Sequence, residues 1–269
     1  MIPESYVQQW QEYAPWQSLS MVEHDLVISR ALIALFKNEV IRNSLVFRGG
    51  TALNKLYIKP PARYSEDIDL VQIHPAPIGS VINAIREVLD PWLREPKRKL
   101  TERSVKLIYR YNTFELEPTK LKIEINTTEH FHVRDFRSFE FEVLSEWYED
   151  SAEIITYDLE ELMATKLKAL YQRRKGRDLF DWWYVLTKNL LEIKDVLPIF
   201  ERYCHHEQEV ITRALFEKSL AMKRDHKDFR LDMRPLLPST LEWDFDKAYD
   251  LVLRNVISRI KGDPWKEEL

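Results

Sequence analysis

Strand, turn and helix meet in Val46-Phe-Arg-Gly-Gly-Thr-Ala-Leu-Asn-Lys55, the stretch that decides the fold of the N-terminal half. The apolar residues at its start predict a short buried strand, Gly49-Gly50 a tight turn, and Thr51 to Tyr57 the opening of a helix. The first N–H groups of a helix lack backbone partners, and the helix dipole adds partial positive charge. We therefore expect a phosphate group to fit at this turn.

A second motif, Asp67-Ile-Asp-Leu-Val71, predicts another strand. Side chains two residues apart on a strand share a face, so Asp67 and Asp69 should lie side by side. Adjacent carboxylates repel each other unless a cation lies between them, and paired carboxylates beside a phosphate-binding turn suit metal-dependent phosphoryl transfer. The alternative is a surface strand that carries two solvated aspartates.

A third acid comes from the segment Lys120 to Thr127, in which apolar and polar residues alternate. Leu121, Ile123 and Ile125 should share the buried face, which leaves Glu124 on the other one. Glu124 would then complete the cation site begun by the two aspartates, or activate a hydroxyl as a general base. Alternation on a half-exposed strand explains Glu124 equally well without any chemistry.

Composition limits the class of protein. The chain has 269 residues, 45% of them hydrophobic, which is enough for a substantial core. We expect a cytoplasmic protein without a membrane segment, because no apolar run is long enough to span a bilayer and the single Cys204 fits a reducing compartment. The formal charge of −4 requires any nucleic-acid contact to be local, for example at Lys97-Arg98-Lys99 in a predicted polar loop, 95–103.

The order of the predicted elements favours an α+β fold, with a mixed sheet flanked by helices and a mostly helical C-terminal domain. We place the boundary between residues 155 and 156. A helix over Met21 to Arg42 should be capped by Ser20, with Glu23 three residues later. The remaining predicted elements of the first domain are a helix over Pro77 to Leu93 and strands over Val105 to Phe114, Phe139 to Leu144 and Glu153 to Thr156.

The second half contains ionisable residues at positions that should face the core. Lys166 lies in the middle of the apolar stripe of a helix that starts after Asp158, whereas Lys168 falls on the opposite side. Lys166 would either extend to the rim or reach a buried anion such as a nucleotide phosphate. On the next helix Asp178 and Asp181 share the core face and need cationic partners, for which Lys166, Arg174 and Arg177 are available.

Four blocks in this order resemble the AbiEii/AbiGii toxin family of the DNA polymerase β type nucleotidyltransferase superfamily. The blocks are Arg48-Gly-Gly-Thr-Ala-Leu, Arg63-x-Ser65-x-Asp67-x-Asp69, Lys122-Ile-Glu124-Ile, and Lys166-x-x-Ala169-Leu with Arg173-x-x-x-Arg177-Asp178-x-x-Asp181. The resemblance runs from about residue 20 to 190. It implies an NTP substrate, Mg²⁺ as cofactor, a tRNA 3′ end as acceptor and a cognate antitoxin as partner.

The resemblance also implies roles for individual residues. Gly49, Gly50, Thr51 and Ser65 would bind the nucleotide together with Lys166, Arg177 and Asp178. Asp67, Asp69 and Glu124 would bind Mg²⁺ and, with Lys166 and Asp181, form the catalytic set. Two alternatives are a nucleotidyltransferase that acts on a small molecule or a protein side chain, and a nucleotide-binding module that has lost catalysis.

Overall fold

A mixed β-sheet forms the centre of the N-terminal part of the chain. The computed structural model describes residues 2–266. The chain divides between Asp158 and Leu159 into two compact units. Within the described residues, seven strands form one sheet in the order β3-β4-β5-β2-β1-β7-β6. The strands are β1 (Leu45–Arg48), β2 (Asp67–Gln72), β3 (Lys97–Leu100), β4 (Ser104–Asn112), β5 (Pro118–Asn126), β6 (Arg137–Ser145) and β7 (Tyr148–Thr156).

Pairing within the sheet is parallel at two places and antiparallel elsewhere. β2 lies parallel to β5, and β1 lies parallel to β7, whereas the other neighbours are antiparallel. The helices of this unit are α1 (Glu4–Trp10), α2 (Leu19–Lys37), α3 (Glu39–Ser44), α4 (Gly49–Ala52) and α5 (Gly79–Leu93), and a π-helical turn (Leu53–Tyr57) continues α4. The predicted α+β fold with a mixed sheet is confirmed.

The two faces of the central strands differ as the alternation predicts. Leu121, Ile123 and Ile125 of β5 are completely buried, and Leu107 and Tyr109 of β4 are buried on the same face. The long helix α2 supplies much of the opposing core, because almost all of its apolar side chains are inaccessible. The other face of β5 is only partly covered, and it carries the ionisable side chains.

Several predicted elements of this unit differ in detail, and the predicted helix over Met21 to Arg42 is divided at Asn38 into α2 and α3. The Lys97-Arg98-Lys99 segment is edge strand β3 rather than loop, because its backbone pairs with β4 although every side chain is exposed. The short strands predicted over Phe139 to Leu144 and Glu153 to Thr156 are longer in the structure, where β6 and β7 form a hairpin of two nine-residue strands. The N-cap of α2 is Ser18 and not Ser20, since the Ser18 hydroxyl accepts a hydrogen bond from the Met21 N–H.

The second unit is helical throughout the part that the structure describes. Its helices are α6 (Leu159–Gln172), α7 (Gly176–Thr187), α8 (Ile193–His206), α9 (Arg213–Arg224), α10 (Lys227–Leu231) and α11 (Phe245–Asn255). Apolar residues of α6 and α7 such as Leu167, Leu170 and Trp182 are completely buried. Lys168 is buried as well, contrary to expectation, because its ammonium group forms ion pairs with Glu207 and Glu209. None of the described helices is long and apolar enough to cross a membrane.

Candidate active site

The predicted acids of the first unit lie on one face of two neighbouring strands, β2 and β5. Asp69 of β2 is aligned with Glu124 of β5 on one side and with Arg48 of β1 on the other. Asp67 is aligned with Lys122, two residues before Glu124. Because aligned residues of paired strands project to the same face, Asp67, Asp69 and Glu124 form a carboxylate row across the sheet.

Two lysines bind part of the carboxylate row. Lys122 Nζ lies 2.8 Å from Asp67 Oδ2 and 3.3 Å from Glu124 Oε2, so its ammonium group bridges these acids. Lys106 Nζ of β4 lies 2.8 Å from Glu124 Oε1, which also accepts a hydrogen bond from Ser104. Burial alone would raise the pKa of Glu124, but the hydrogen bond from Lys106 and the charge of Lys122 outweigh it and lower that pKa. Glu124 is therefore a firmly ionised carboxylate.

Asp69 is the member of the row without such a partner. Its carboxylate forms no hydrogen bond or ion pair with any residue that the structure describes. Burial, followed by the negative charge of Asp67, raises its pKa above the ordinary value. The carboxylate lies against the glycine turn, since a Cβ atom at Gly49 would come within 2.6 Å of Asp69 Oδ2. Gly49 also has a positive φ of 84°, which glycine adopts readily.

Hydroxyl groups fix the start of strand β2. The Thr51 hydroxyl donates to the backbone carbonyl of Asp67, and its Oγ1 lies 2.7 Å from Ser65 Oγ. A hydroxyl carries one proton, so Ser65 is the donor in its contact with Thr51. Thr51 is buried and holds Asp67 in place, whereas half-buried Ser65 would have to rotate to donate to a phosphate.

Two arginines from the family blocks, Arg48 and Arg63, are each held by partners within the first unit. Arg63 is 2% exposed, its Nη1 donates to the Tyr64 carbonyl, and its Nη2 packs so closely on Gly50 that a Cβ there would lie 2.3 Å away. Arg48 forms a salt bridge with Glu129, with 2.6 Å between Nη1 and Oε2. Burial would lower the pKa of Arg48, but the negative charge of Glu129 raises it.

The predicted site residues of the second unit form ion pairs within that unit. Lys166 Nζ lies 2.6 Å from Oδ2 of Asp181, and both side chains are buried. Asp178 is buried too, and its two oxygens accept from Nε and Nη2 of Arg173 at 2.7 and 2.8 Å. The partner of Asp178 is thus an arginine outside the predicted set of cations. The backbone N–H of Arg177 donates to an aspartate 55 residues further along the chain.

The donor set for a metal ion is smaller than predicted. No group of three or more His, Cys, Asp or Glu side chains within residues 2–266 is arranged to hold a metal ion. Glu124 is held by Lys106 and Lys122, and Asp67 is held by Lys122 alone, so the pair with the fewer cationic contacts is Asp67 with the unpartnered carboxylate of Asp69. Two carboxylates fit Mg²⁺, which usually takes one or two carboxylate ligands plus substrate phosphates and water.

Lys106 is the site residue that sequence reasoning missed. It lies on β4, directly opposite Glu124, and contributes the shortest contact to that carboxylate. Strand alternation could have placed Lys106 on the face away from buried Val105 and Leu107. The register between β4 and β5, which brings Lys106 to Glu124, cannot be read from either strand alone.

Solved structures with this fold define the class. The structure of MenT4, a nucleotidyltransferase toxin from Mycobacterium tuberculosis H37Rv, has a TM-score of 0.71 and 17% identity, and the match covers 97% of this chain and 91% of that one. JHP933 from Helicobacter pylori has a TM-score of 0.53 and 17% identity, with coverage of 90% and 95%. At such identity the likeness concerns the fold, and no curated protein matches significantly. The fold is that of the nucleotidyltransferases.

The family follows from the sequence match. The model described as nucleotidyl transferase AbiEii toxin, type IV TA system, matches residues 30–251. The chain therefore belongs to the AbiEii family of nucleotidyltransferase toxins, and the resemblance predicted from the four sequence blocks is confirmed. As a member it is a nucleotidyltransferase toxin of the type IV toxin–antitoxin class, and membership in this family implies an antitoxin as its partner.

Proposed function

We propose that this toxin transfers a nucleoside monophosphate from an NTP to an RNA acceptor, the 3′ end of a tRNA, and releases pyrophosphate. The observation that carries the proposal is the carboxylate row beside the glycine turn. Asp67 and Asp69 share a face, and Asp69 lacks a partner of its own. A half-buried carboxylate that forms no ion pair is costly unless something in the working complex compensates it.

The compensating group that we propose is Mg²⁺ carried in with the NTP. Asp67 and Asp69 would hold it, and its positive charge would offset the burial and the negative charge of Asp67 that together raise the pKa of Asp69. A bound Mg²⁺ ion supplies electrostatic stabilisation of the phosphate oxygens during an in-line displacement.

In the proposed reaction an acceptor hydroxyl attacks the α-phosphorus. A new P–O bond forms, the bond between the α-phosphorus and the bridging oxygen breaks, and pyrophosphate leaves with the electron pair. Glu124 would accept a hydrogen bond from the hydroxyl and align it. Its lowered pKa suits alignment better than proton removal, since a weak base gains little from taking a proton. The hydroxyl proton would pass to water, since Asp67 and Asp69 are assigned to the cation.

The remaining roles are assigned by the family blocks. We propose that Gly49 and Gly50 approach the β- and γ-phosphates closely because they lack side chains, and that Ser65 rotates from Thr51 to donate to them. Lys166 is assigned to the departing pyrophosphate. Its ion pair with Asp181 restricts its rotamers. Arg177 and Asp178 are assigned to nucleotide binding. We also propose that the protein acts in the cytoplasm.

The decisive experiment identifies both the transferred group and the acceptor. The full chain is incubated with each NTP, labelled at either the α- or the γ-phosphate, and with total cellular RNA, and the products are separated on a denaturing gel. We expect the α-label in a tRNA band and the γ-label in pyrophosphate. Label on a small molecule or a protein instead of RNA would show that the acceptor is that molecule and not a tRNA. An NTP that binds with Mg²⁺ and is never consumed would refute the enzyme activity.

A further inference from the structure

Basic side chains continue the carboxylate row towards the β3 edge of the sheet. The strand register aligns Lys99 with Lys106, Lys106 with Glu124, and Glu124 with Asp69. A parallel line of aligned positions runs from Lys97 on β3 through β4 and β5 to Asp67. The carboxylate row is thus the inner end of a longer polar surface across β3, β4 and β5.

The charges on this part of the sheet face are strongly one-sided. We use the name basic face for the cations that share the face with Asp67 and Asp69, which are Lys97, Lys99, Lys106, Arg110, Lys120 and Lys122. Glu124 is the one carboxylate among the β3, β4 and β5 residues on that face. The whole chain has a net charge of −4, so this concentration of positive charge is a local feature of one sheet face.

Four members of the basic face are available to a ligand. Lys97, Lys99, Arg110 and Lys120 are exposed, and none forms an ion pair or hydrogen bond with a residue that the structure describes. The other two are engaged with the carboxylate row. Cations that neutralise no protein carboxylate keep their full attraction for an external polyanion.

At the far end of β4 and β5 the basic face borders a cleft with aromatic walls. The cleft has a volume of about 1010 Å³, and Arg110, Lys120 and Arg94 line it together with Trp92 and Tyr111. Its wall includes Arg94 in a left-handed backbone conformation, with φ 64°, which is uncommon for residues other than glycine. Aromatic rings beside cations are the combination that binds unpaired nucleotides, by stacking on the base and neutralising the phosphate.

We propose that the basic face and this cleft bind the RNA acceptor, with the sugar–phosphate backbone on the lysines and arginines and an unpaired base in the cleft. This inference rests on the proposed function and specifies where its acceptor binds. The register explains the choice of RNA, because the basic positions lead strand by strand to the carboxylates at which the terminal hydroxyl must react.

The test compares variants on opposite faces of one strand. Lys97→Gln/Lys99→Gln removes two charges from the basic face, Arg110→Gln/Lys120→Gln removes the two at the cleft, and a fourfold variant combines them. Arg98→Gln is the matched control, because exposed Arg98 lies between the two lysines but is aligned with buried Leu107 on the other face. None of these residues belongs to the proposed catalytic set.

Binding of fluorescent bulk tRNA and of a labelled single-stranded oligoribonucleotide is measured on the full chain between 50 and 200 mM salt. Each lost phosphate contact should reduce the slope of log K against log salt by about 1. We expect the fourfold variant to bind RNA at least about tenfold more weakly at low salt, and to show a raised KM for RNA with unchanged KM for NTP. Arg98→Gln should match the wild type.

Two outcomes would overturn the inference. One is a fourfold variant that binds RNA with the wild-type slope, and the other is an Arg98→Gln loss equal to that of Lys97→Gln/Lys99→Gln. Failure of the proposed function is distinguishable from both. A wild-type protein that binds RNA through the basic face but never labels it would disprove transfer to RNA while leaving the binding surface in place.

Discussion

At the scale of single residues, charge balance separates the three acids of the carboxylate row. Glu124 is neutralised by Lys106 and Lys122, and Asp67 by Lys122, whereas Asp69 has no such partner. A carboxylate whose surroundings oppose its charge works against stability, and such groups are frequent in functional sites. The same residue should therefore control both folding stability and activity, in opposite directions.

Asp69→Asn should stabilise the protein and inactivate it. The pKa of Asp69 is raised in the folded state, so its ionisation costs folding free energy, and wild-type stability should fall as pH rises through that pKa. The neutral amide removes this cost at pH 7. Thermal unfolding should show a higher Tm and a weaker pH dependence around the carboxylate range, and nucleotide transfer should drop by about 10²–10³. An unchanged rate, or a lower Tm at pH 7, would contradict this explanation.

A second residue-scale prediction concerns the partner of Asp178. Arg173→Gln leaves a buried carboxylate without its bidentate partner and should lower the free energy of unfolding by about 2–3 kcal/mol. Arg174→Gln is the control, since exposed Arg174 was one of the expected partners and should change stability by less than about 0.5 kcal/mol. The measurement is urea unfolding of both variants. Equal losses in the free energy of unfolding would mean that the ion pair of Arg173 with Asp178 does not stabilise the helix hairpin.

At the scale of elements, caps and edges are where local patterns are ambiguous. Ser18 and Ser20 both precede the apolar run of α2, and the pattern with Glu23 favours Ser20. Glu23 has another role, because its carboxylate is buried and accepts from the backbone N–H groups of Ile2 and Phe114. A capping box therefore cannot form, and Ser18 takes the cap.

Ser18→Ala should lower the free energy of unfolding by about 1 kcal/mol, because one N–H group at the start of α2 loses its acceptor. Ser20→Ala should cost much less, since Ser20 lies inside the first turn. Chemical denaturation of the two single variants, which remove the same atoms two residues apart, is the measurement. A larger loss of stability for Ser20→Ala than for Ser18→Ala would show that Ser20 is the N-cap, as the sequence pattern favours.

The sequence pattern does not identify β3 as a strand, and the reason is its position at the edge of the sheet. All four side chains of Lys97–Leu100 are exposed, so the segment lacks the alternation that identifies a half-buried strand. Only pairing with β4 makes it a strand. Charged residues are common on such edges, because they discourage pairing with other chains. In β5, by contrast, strict alternation identified both the strand and the face that carries Glu124.

At the scale of the whole molecule, local patterns predict most elements and the fold class, while pairing between distant strands decides the site. The glycine turn, the Asp67–Asp69 strand and the Glu124 strand could be predicted because each has its own periodicity or turn residues. The parallel pairing of β2 with β5, which aligns Asp69 with Glu124, joins segments more than 50 residues apart and leaves no local signal. The ion pair of Lys106 with Glu124 depends in the same way on the register between β4 and β5.

The central claim is that Asp67 and Asp69 form the catalytic carboxylate pair of a nucleotidyltransferase. The most direct test is the transfer of label from an α-labelled NTP by Asp67→Ala, with Glu142→Ala as a control for an exposed strand carboxylate outside the row. We predict that Asp67→Ala remains folded and loses transfer by at least about 10²-fold, whereas Glu142→Ala retains wild-type activity. Transfer by Asp67→Ala within a few-fold of the wild-type rate would contradict the claim.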